Sequence, residues 1–345
     1  MVAQNARIAA AQAGLRLTQA VAALFGLSRR EAKLAVACGR VALGKSVCRI
    51  QARLVREGQI LSLAPSAPSA SPSAEPAEAL AIVHLARHYL VTFKPAGLLS
   101  ERDRFGAPSV EALVPDMLRA RGLPADVWLV HRLDAGTSGL LCLARSAAAA
   151  RRLFAAFRER RVHKRYCALV AGAPPSTAGP VAQATAERCR AFWRDGRALV
   201  RVPLCRERGT RQQVARPGSK DAKPADTRID TLARSGGGRL LQLEPITGRS
   251  HQLRVHLAHL AAPILGDALY GGARYLEGAD GEPVPVPRTM LHAESLSFVE
   301  PLDERQRPSE KTFRAPLPSD FRAVAMALGL PTRVEPPPWE PHAAS

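Results

Sequence analysis

The residues best suited to chemistry gather around one carboxylate. Residues 130–141 read VHRLDAGTSGLL, and Asp134 is the only acid between Val127 and Arg158. Glycoside cleavage by paired carboxylates needs a second acid to protonate the leaving group or activate water. None is local, although the fold could bring one from elsewhere. A solitary aspartate works as a nucleophile or takes up a proton, provided a cation keeps it ionised where water is excluded. The same residue types also build turns, in which Asp caps through its side chain beside Gly and Thr. His131, His251, His256 and His259 lack the spacing of a metal-ligand set and read as structural histidines, so no metal is expected. The six cysteines form no CxxC pair, which argues against a disulfide framework or zinc knuckle and for a reducing compartment.

The elements that must position Asp134 follow from the apolar pattern. From about Ala81 the chain turns to strands, in HYLVTF, VWLVHRL, GLLCLA, KRYCALVAG, RLLQLEPI and LHAESLSF, with helices at SAAAARRLFAAFRERR and SHQLRVHLAHLA. There is no repeating βαβ rhythm and no glycine phosphate loop, so an α+β catalytic domain with a mixed or antiparallel sheet is expected over residues 81–330. Residues 211–228 lack periodicity and read as a flexible, exposed insertion, and residues 331–345 as a disordered tail. Residues 65–80, rich in Pro, Ser and Ala, read as a linker.

At 345 residues two domains are expected. The formal charge of +19 calls for a polyanionic partner, nucleic acid first. No apolar run is long enough for a membrane span, and a cytoplasmic protein is expected. Between residues 145 and 165 eight Arg or Lys face the single acid Glu159, with Leu153, Phe154 and Phe157 available to anchor a helix whose arginines meet phosphates.

The stretch 1–64 holds ten Lys or Arg against Glu31 and Glu57. Leu17, Val21 and Leu24 recur at helical spacing. SRRE at Ser28–Glu31 fits a capping box opening a second helix that Gly39 can close. RVALGKSVCR reads as a hairpin about Gly44, and GQILSL as a closing strand. Over about residues 15–62 this resembles the S-four-type RNA-binding domain. The resemblance implies a small α/β module that docks RNA through Arg29, Arg30, Lys33, Arg40 and Lys45.

HRLDAGTSGLL is similar to the signature of the RluA-type pseudouridine synthases. The family's order continues in KPAGLLS upstream and in KRYCALV, TGRSHQLRVH and PILGDALYG downstream, over about residues 85–300. The resemblance implies isomerisation of uridine in structured RNA to pseudouridine, without a cofactor. It implies Asp134 as the essential aspartate, attacking the ribose or abstracting its two-prime proton. Tyr166 would pack on the base and take the carbon-five proton, and Arg254 would pair with Asp134. Leu253 would pack near an extruded base, and Arg132 would enter the RNA stack to fill the space it leaves. Thr137, Ser138 and Gly139 would let RNA approach closely. Large-subunit ribosomal RNA is the leading substrate and transfer RNA the alternative. A monomer without an obligate protein partner is expected. The competing readings are a non-catalytic RNA-binding or ribosome-assembly factor and a base-releasing nucleosidase.

Overall fold

The computed structural model describes residues 4–37, 41–44, 46–48, 53–63, 79–104, 106–171, 191–194, 196–207, 209, 211–277, 283–300 and 309–332. Contacts divide the chain into two compact units, residues 1–74 and 75–345.

In the first unit, β1 (Gln4–Arg7), β2 (Val41–Leu43), β3 (Ser46–Val47) and β4 (Ile60–Leu63) form an antiparallel sheet in the order β1-β4-β2-β3. Helix α1 (Leu17–Phe25) buries Leu17, Ala20 and Val21 and stops at Gly26, whose φ of 64° lets its N–H reach the Ala22 carbonyl. Helix α2 (Arg29–Ala37) opens on a reciprocal cap. The Ser28 N–H donates to Glu31 Oε2 at 2.8 Å and the Glu31 N–H donates to Ser28 Oγ at 3.2 Å. Gly44 turns β2 into β3 with a φ of 63°. Arg29 is exposed. Arg40, Lys45 and the side chains of Arg30 and Lys33 lie outside the described residues, as do Gly39 and residues 65–78 of the linker.

The second unit is built on a sheet that has eleven strands among the described residues. In chain order they are β5 (Ala81–Leu85), β6 (Tyr89–Lys94), β7 (Trp128–Leu129), β8 (Ser138–Ala144), β9 (His163–Ala171), β10 (Ala191–Arg194) and β11 (Arg197–Arg201). A two-stranded ribbon of β12 (Leu204–Arg206) and β13 (Gln212–Val214) follows, then sheet strands β14 (Asp226–Arg234) and β15 (Gly238–Pro245). A second ribbon, β16 (Tyr275–Glu277) and β17 (Pro283–Pro285), precedes sheet strands β18 (Leu291–Val299) and β19 (Glu310–Arg314). The order is β10-β11-β14-β15-β9-β18-β8-β6-β5, with β19 on β18 and β7 on β8. Pairing is antiparallel except where β8 meets β18, so the sheet is mixed. Of the expected VWLVHRL run, only Trp128 and Leu129 form a strand.

Both faces are covered, and every residue of β6 and β8 is buried. Their side chains divide with a period of two. Leu90, Leu141 and Leu143 join the core beneath α3 (Val110–Arg119), α5 (Gln252–His259) and α6 (Ser319–Ala327). Tyr89, Val91, Phe93, Leu140 and Cys142 join the core beneath α4 (Ala147–Arg158). Ser146 caps α4 by accepting the Ala149 N–H, and Leu153 is its deepest anchor. Phe154, expected to share that work, is 49% exposed, while Phe157 stacks on His131 with ring centroids 4.7 Å apart.

The 211–228 stretch carries more structure than its composition suggests. Gln212–Val214 form the β12–β13 ribbon, Ala225 is buried, and Asp226–Arg228 already belong to β14. Beside its ladder hydrogen bonds the ribbon packs Leu204 and Val214 against Ala225, Val255 and Tyr270, contacts gathered from separate elements that leave no local periodicity to read. Among the described residues no helix is long and apolar enough to cross a membrane.

Candidate active site

Asp134 sits in the loop from β7 to β8, and this loop is stitched to the KPAGLLS loop that follows β6. Ser100 Oγ donates to the Leu133 carbonyl at 2.8 Å and accepts the Leu133 N–H at 3.0 Å. The Gly97 N–H donates to the Ala135 carbonyl at 2.7 Å, and the Thr137 N–H to that of Asp134 at 3.0 Å. Lys94, fully buried at the end of β6, sends Nζ to the carbonyls of Pro95, Leu98 and Ala135 at 3.0, 2.7 and 3.2 Å. Burial and then the Arg288 charge push its pKa down to about 7, against the pull of Asp134. The aspartate is thus held on both flanks by residues 94–100, through contacts that span 33 to 41 residues of sequence.

The cation that a lone carboxylate requires arrives from α5. Arg254 Nη1 donates to Asp134 Oδ2 at 2.8 Å, while Nε and Nη2 grip Asp267 Oδ2 and Oδ1 at 2.6 and 2.8 Å. The guanidinium side chain is 12% exposed, Asp267 1% and Asp134 22%. Burial opposes the Arg254 charge, but the two carboxylates outweigh it and raise the pKa further, so the guanidinium stays charged. The planar fork suits this arrangement, with its bidentate edge fixed on Asp267 and its remaining corner on Asp134.

Around this pair lies a cavity of about 520 Å³. Tyr166 from β9 and Leu253 from α5 line it, as do Arg132, Thr137, Ile246, Lys164 and Arg249. Burial, with the Asp134 charge added, raises the Tyr166 pKa and keeps the phenol protonated. Burial also brings Lys164 down to about 8. Arg132 is exposed and donates to Glu101 Oε2 at 2.6 Å. A second cleft of about 520 Å³ shares Arg132, Asp134 and His251 and runs to Arg206, Gln212 and Lys223.

Two residues expected at the substrate lie in the sheet instead. Ser138 is buried with Oγ 2.9 Å from His292 Nδ1. Gly139 has a φ of 119°, and a Cβ there would stand 2.2 Å from the Ala293 carbonyl oxygen, so glycine is required by the approach of β18 to β8. The histidines also divide. His131 accepts the Cys142 N–H through Nε2, and burial takes its pKa to about 3. His256 bridges Thr227 and the Val202 carbonyl, and burial takes it to about 4. His251, expected to be structural, turns its ring toward Asp134, with Nε2 3.8 Å from Oδ1. Asp267 and Tyr270 carried no assigned role in the sequence, although both lie in PILGDALYG.

Residues 88–259 match the family model described as RNA pseudouridylate synthase. The dual-specificity RNA pseudouridine synthase RluA of Salmonella typhi is 35% identical over 246 residues, covering 70% of this chain and 94% of that protein. The ribosomal large subunit pseudouridine synthase C of Vibrio cholerae is 33% identical over 228 residues, covering 65% of this chain and 63% of the relative, a little under two thirds of its length. Among solved structures, human RNA pseudouridylate synthase domain containing 4 aligns with a TM-score of 0.53 at 25% identity, over 74% of this chain and 94% of that one. With its mixed sheet, its arginine-held aspartate and identity at this level along nearly the whole of a relative, the chain belongs to the RluA-type RNA pseudouridine synthases, isomerases that act on RNA.

Proposed function

We propose that Asp134 is the reacting carboxylate and that the substrate is a uridine in large-subunit ribosomal RNA. The observation that carries the first part is the Asp134–Arg254–Asp267 arrangement at the edge of a cavity lined by Tyr166 and Leu253. The reaction conserves atoms. The bond from ribose C1′ to N1 of uracil breaks, a bond from C1′ to C5 forms, C5 loses a proton and N1 gains one. Attack on C1′ and removal of the two-prime proton both use a carboxylate oxygen of Asp134, and Arg254 holds and aims that carboxylate. Leu253 packs on the extruded base. Tyr166 takes up the C5 proton on Oη as its own phenolic proton passes through solvent to N1, so no standing phenolate is needed in an environment that disfavours one. Arg132 takes the place of the base in the RNA stack.

Support for the ribosomal substrate comes from the Vibrio relative's name and from the charge. Residues 1–64 act as an S-four-like RNA-docking module in this reading, with Arg29 exposed on the capped first turn of α2. The test is site-resolved pseudouridine mapping of total RNA from cells with and without the protein, and from cells carrying Asp134→Asn. The expected result is one or more large-subunit positions lost in both deficient strains. Loss confined to transfer RNA overturns the substrate, and full modification by a folded Asn variant removes Asp134 from the mechanism.

A further inference from the structure

We infer that His251 is a positioning residue for Asp134, and that Tyr270 and the β12–β13 ribbon set its tautomer and so belong to the catalytic apparatus. The inference rests on the reading of Asp134 as the reacting group.

Three observations converge. First, His251 is the N-cap of α5 with a φ of 55° and ψ of 15°, a left-handed conformation disfavoured for a residue with a Cβ. That backbone brings its ring into the site, with the side chain 14% exposed. Second, the hydrogen bonds and the facing carboxylate together favour one proton arrangement for the neutral ring. The Gln212 N–H at the start of β13 donates to Tyr270 Oη at 3.0 Å. The phenol's own proton is free to go to His251 Nδ1, 2.8 Å away, whereas the opposite tautomer would set an Nε2 lone pair against the carboxylate. Nδ1 therefore accepts, the ring proton resides on Nε2, and Nε2 points at Asp134 Oδ1 across 3.8 Å. Third, the two oxygens of Asp134 have different neighbours. Oδ2 is held by Arg254, and Oδ1 faces His251. The Tyr270 ring lies under the Arg254 guanidinium, 5.0 Å from ring centroid to the guanidinium carbon, so the same phenol steadies both neighbours of the carboxylate. At 3.8 Å the imidazole N–H acts as an oriented dipole and a steric stop. It limits rotation of the carboxylate and leaves Oδ1 in one direction toward the ribose.

The test uses the full-length protein and total RNA from cells lacking it, under single-turnover conditions at a mapped position. His251→Gly keeps the left-handed backbone accessible and removes only the ring. Its expected behaviour is a melting temperature within a few degrees of wild type, RNA binding within about twofold and a rate roughly tenfold lower. Tyr270→Phe keeps the ring under Arg254 and removes the proton donor. Its rate should fall by a smaller factor, and the double variant should be no slower than His251→Gly alone, because the two residues act as one unit. A His251→Gly rate within twofold of wild type, or rate losses that multiply in the double variant, overturns the inference. Asp134→Asn runs alongside. If that variant turns over, the reading of Asp134 fails. If it is silent while His251→Gly is normal, only the role of His251 fails.

Discussion

At the scale of single residues, the site depends on a buried cation shared by two carboxylates. Asp267→Asn leaves Arg254 without its bidentate partner in a nearly closed setting, and removing one member of such a pair typically costs about 3–5 kcal/mol. The variant should lose stability of that order in urea denaturation. Its single-turnover rate should also fall, although Asp267 never meets the substrate in this mechanism. Tyr166→Phe should behave differently. RNA binding should stay within about twofold and folding be preserved, while product formation slows or stalls, because the ring is kept and the hydroxyl lost. A wild-type rate would leave Tyr166 with a packing role only. Asp134 stands out because no other acid surrounds it, but its neighbours suit a turn cap equally well and only the HRLDAGTSGLL resemblance points it toward chemistry. Asp267, Tyr270 and His251 were not legible, because their work appears only when a loop more than a hundred residues downstream folds against that acid. Gln212 left no signal at all, since it acts through its backbone N–H.

At the scale of elements, the strand patterns and the Ser28–Glu31 cap were readable because both rest on local spacing. The close passage of β8 beside β18 was not, since a glycine after a catalytic loop looks the same whether it admits a ligand or a neighbouring strand. Gly139→Ala tests the second role. Its Cβ would collide with the Ala293 carbonyl, and its φ of 119° disfavours any side chain. A loss of about 2–4 kcal/mol in denaturation is expected, with RNA affinity per folded molecule unchanged. The buried histidines of these elements also set an acid limit. Burial depresses His131, His256 and His292 to about 3, about 4 and about 3, below the ordinary value of about 6.5 for an unfolded chain. In that window the unfolded chain binds the extra protons, so stability is full above about pH 6.5 and falls as the pH drops toward 4. The slope is up to about 1.4 kcal/mol per pH unit for each histidine. Urea midpoints measured from pH 7 to pH 4 should fall. His256→Gln, which has no titrating group, should make the decline shallower.

At the scale of the whole molecule, the net charge of +19 makes binding to RNA a salt-dependent quantity. A chain starting near Ala79 should fold on its own core and keep its chemistry on a short RNA. Its affinity for the full substrate should drop, and the slope of log affinity against log salt should become shallower by about 0.7–0.9 per phosphate contact removed. Equal slopes and equal affinities would remove the docking role from residues 1–64.

The order of the central strands bears on how the enzyme is made. Strand β18 lies between β9 and β8, yet it is synthesised more than a hundred residues after both. While translation proceeds, those two apolar strands have no neighbour to cover their inner edges, and each is a template for pairing with the wrong chain. Arg254 emerges well after Asp134, and β18, which supplies the wall behind Tyr166, later still. A nascent chain is therefore expected to lack activity until residue 299 has left the exit tunnel, and ribosome-stalled chains ending at successive positions beyond β18 would show activity only once that strand is free.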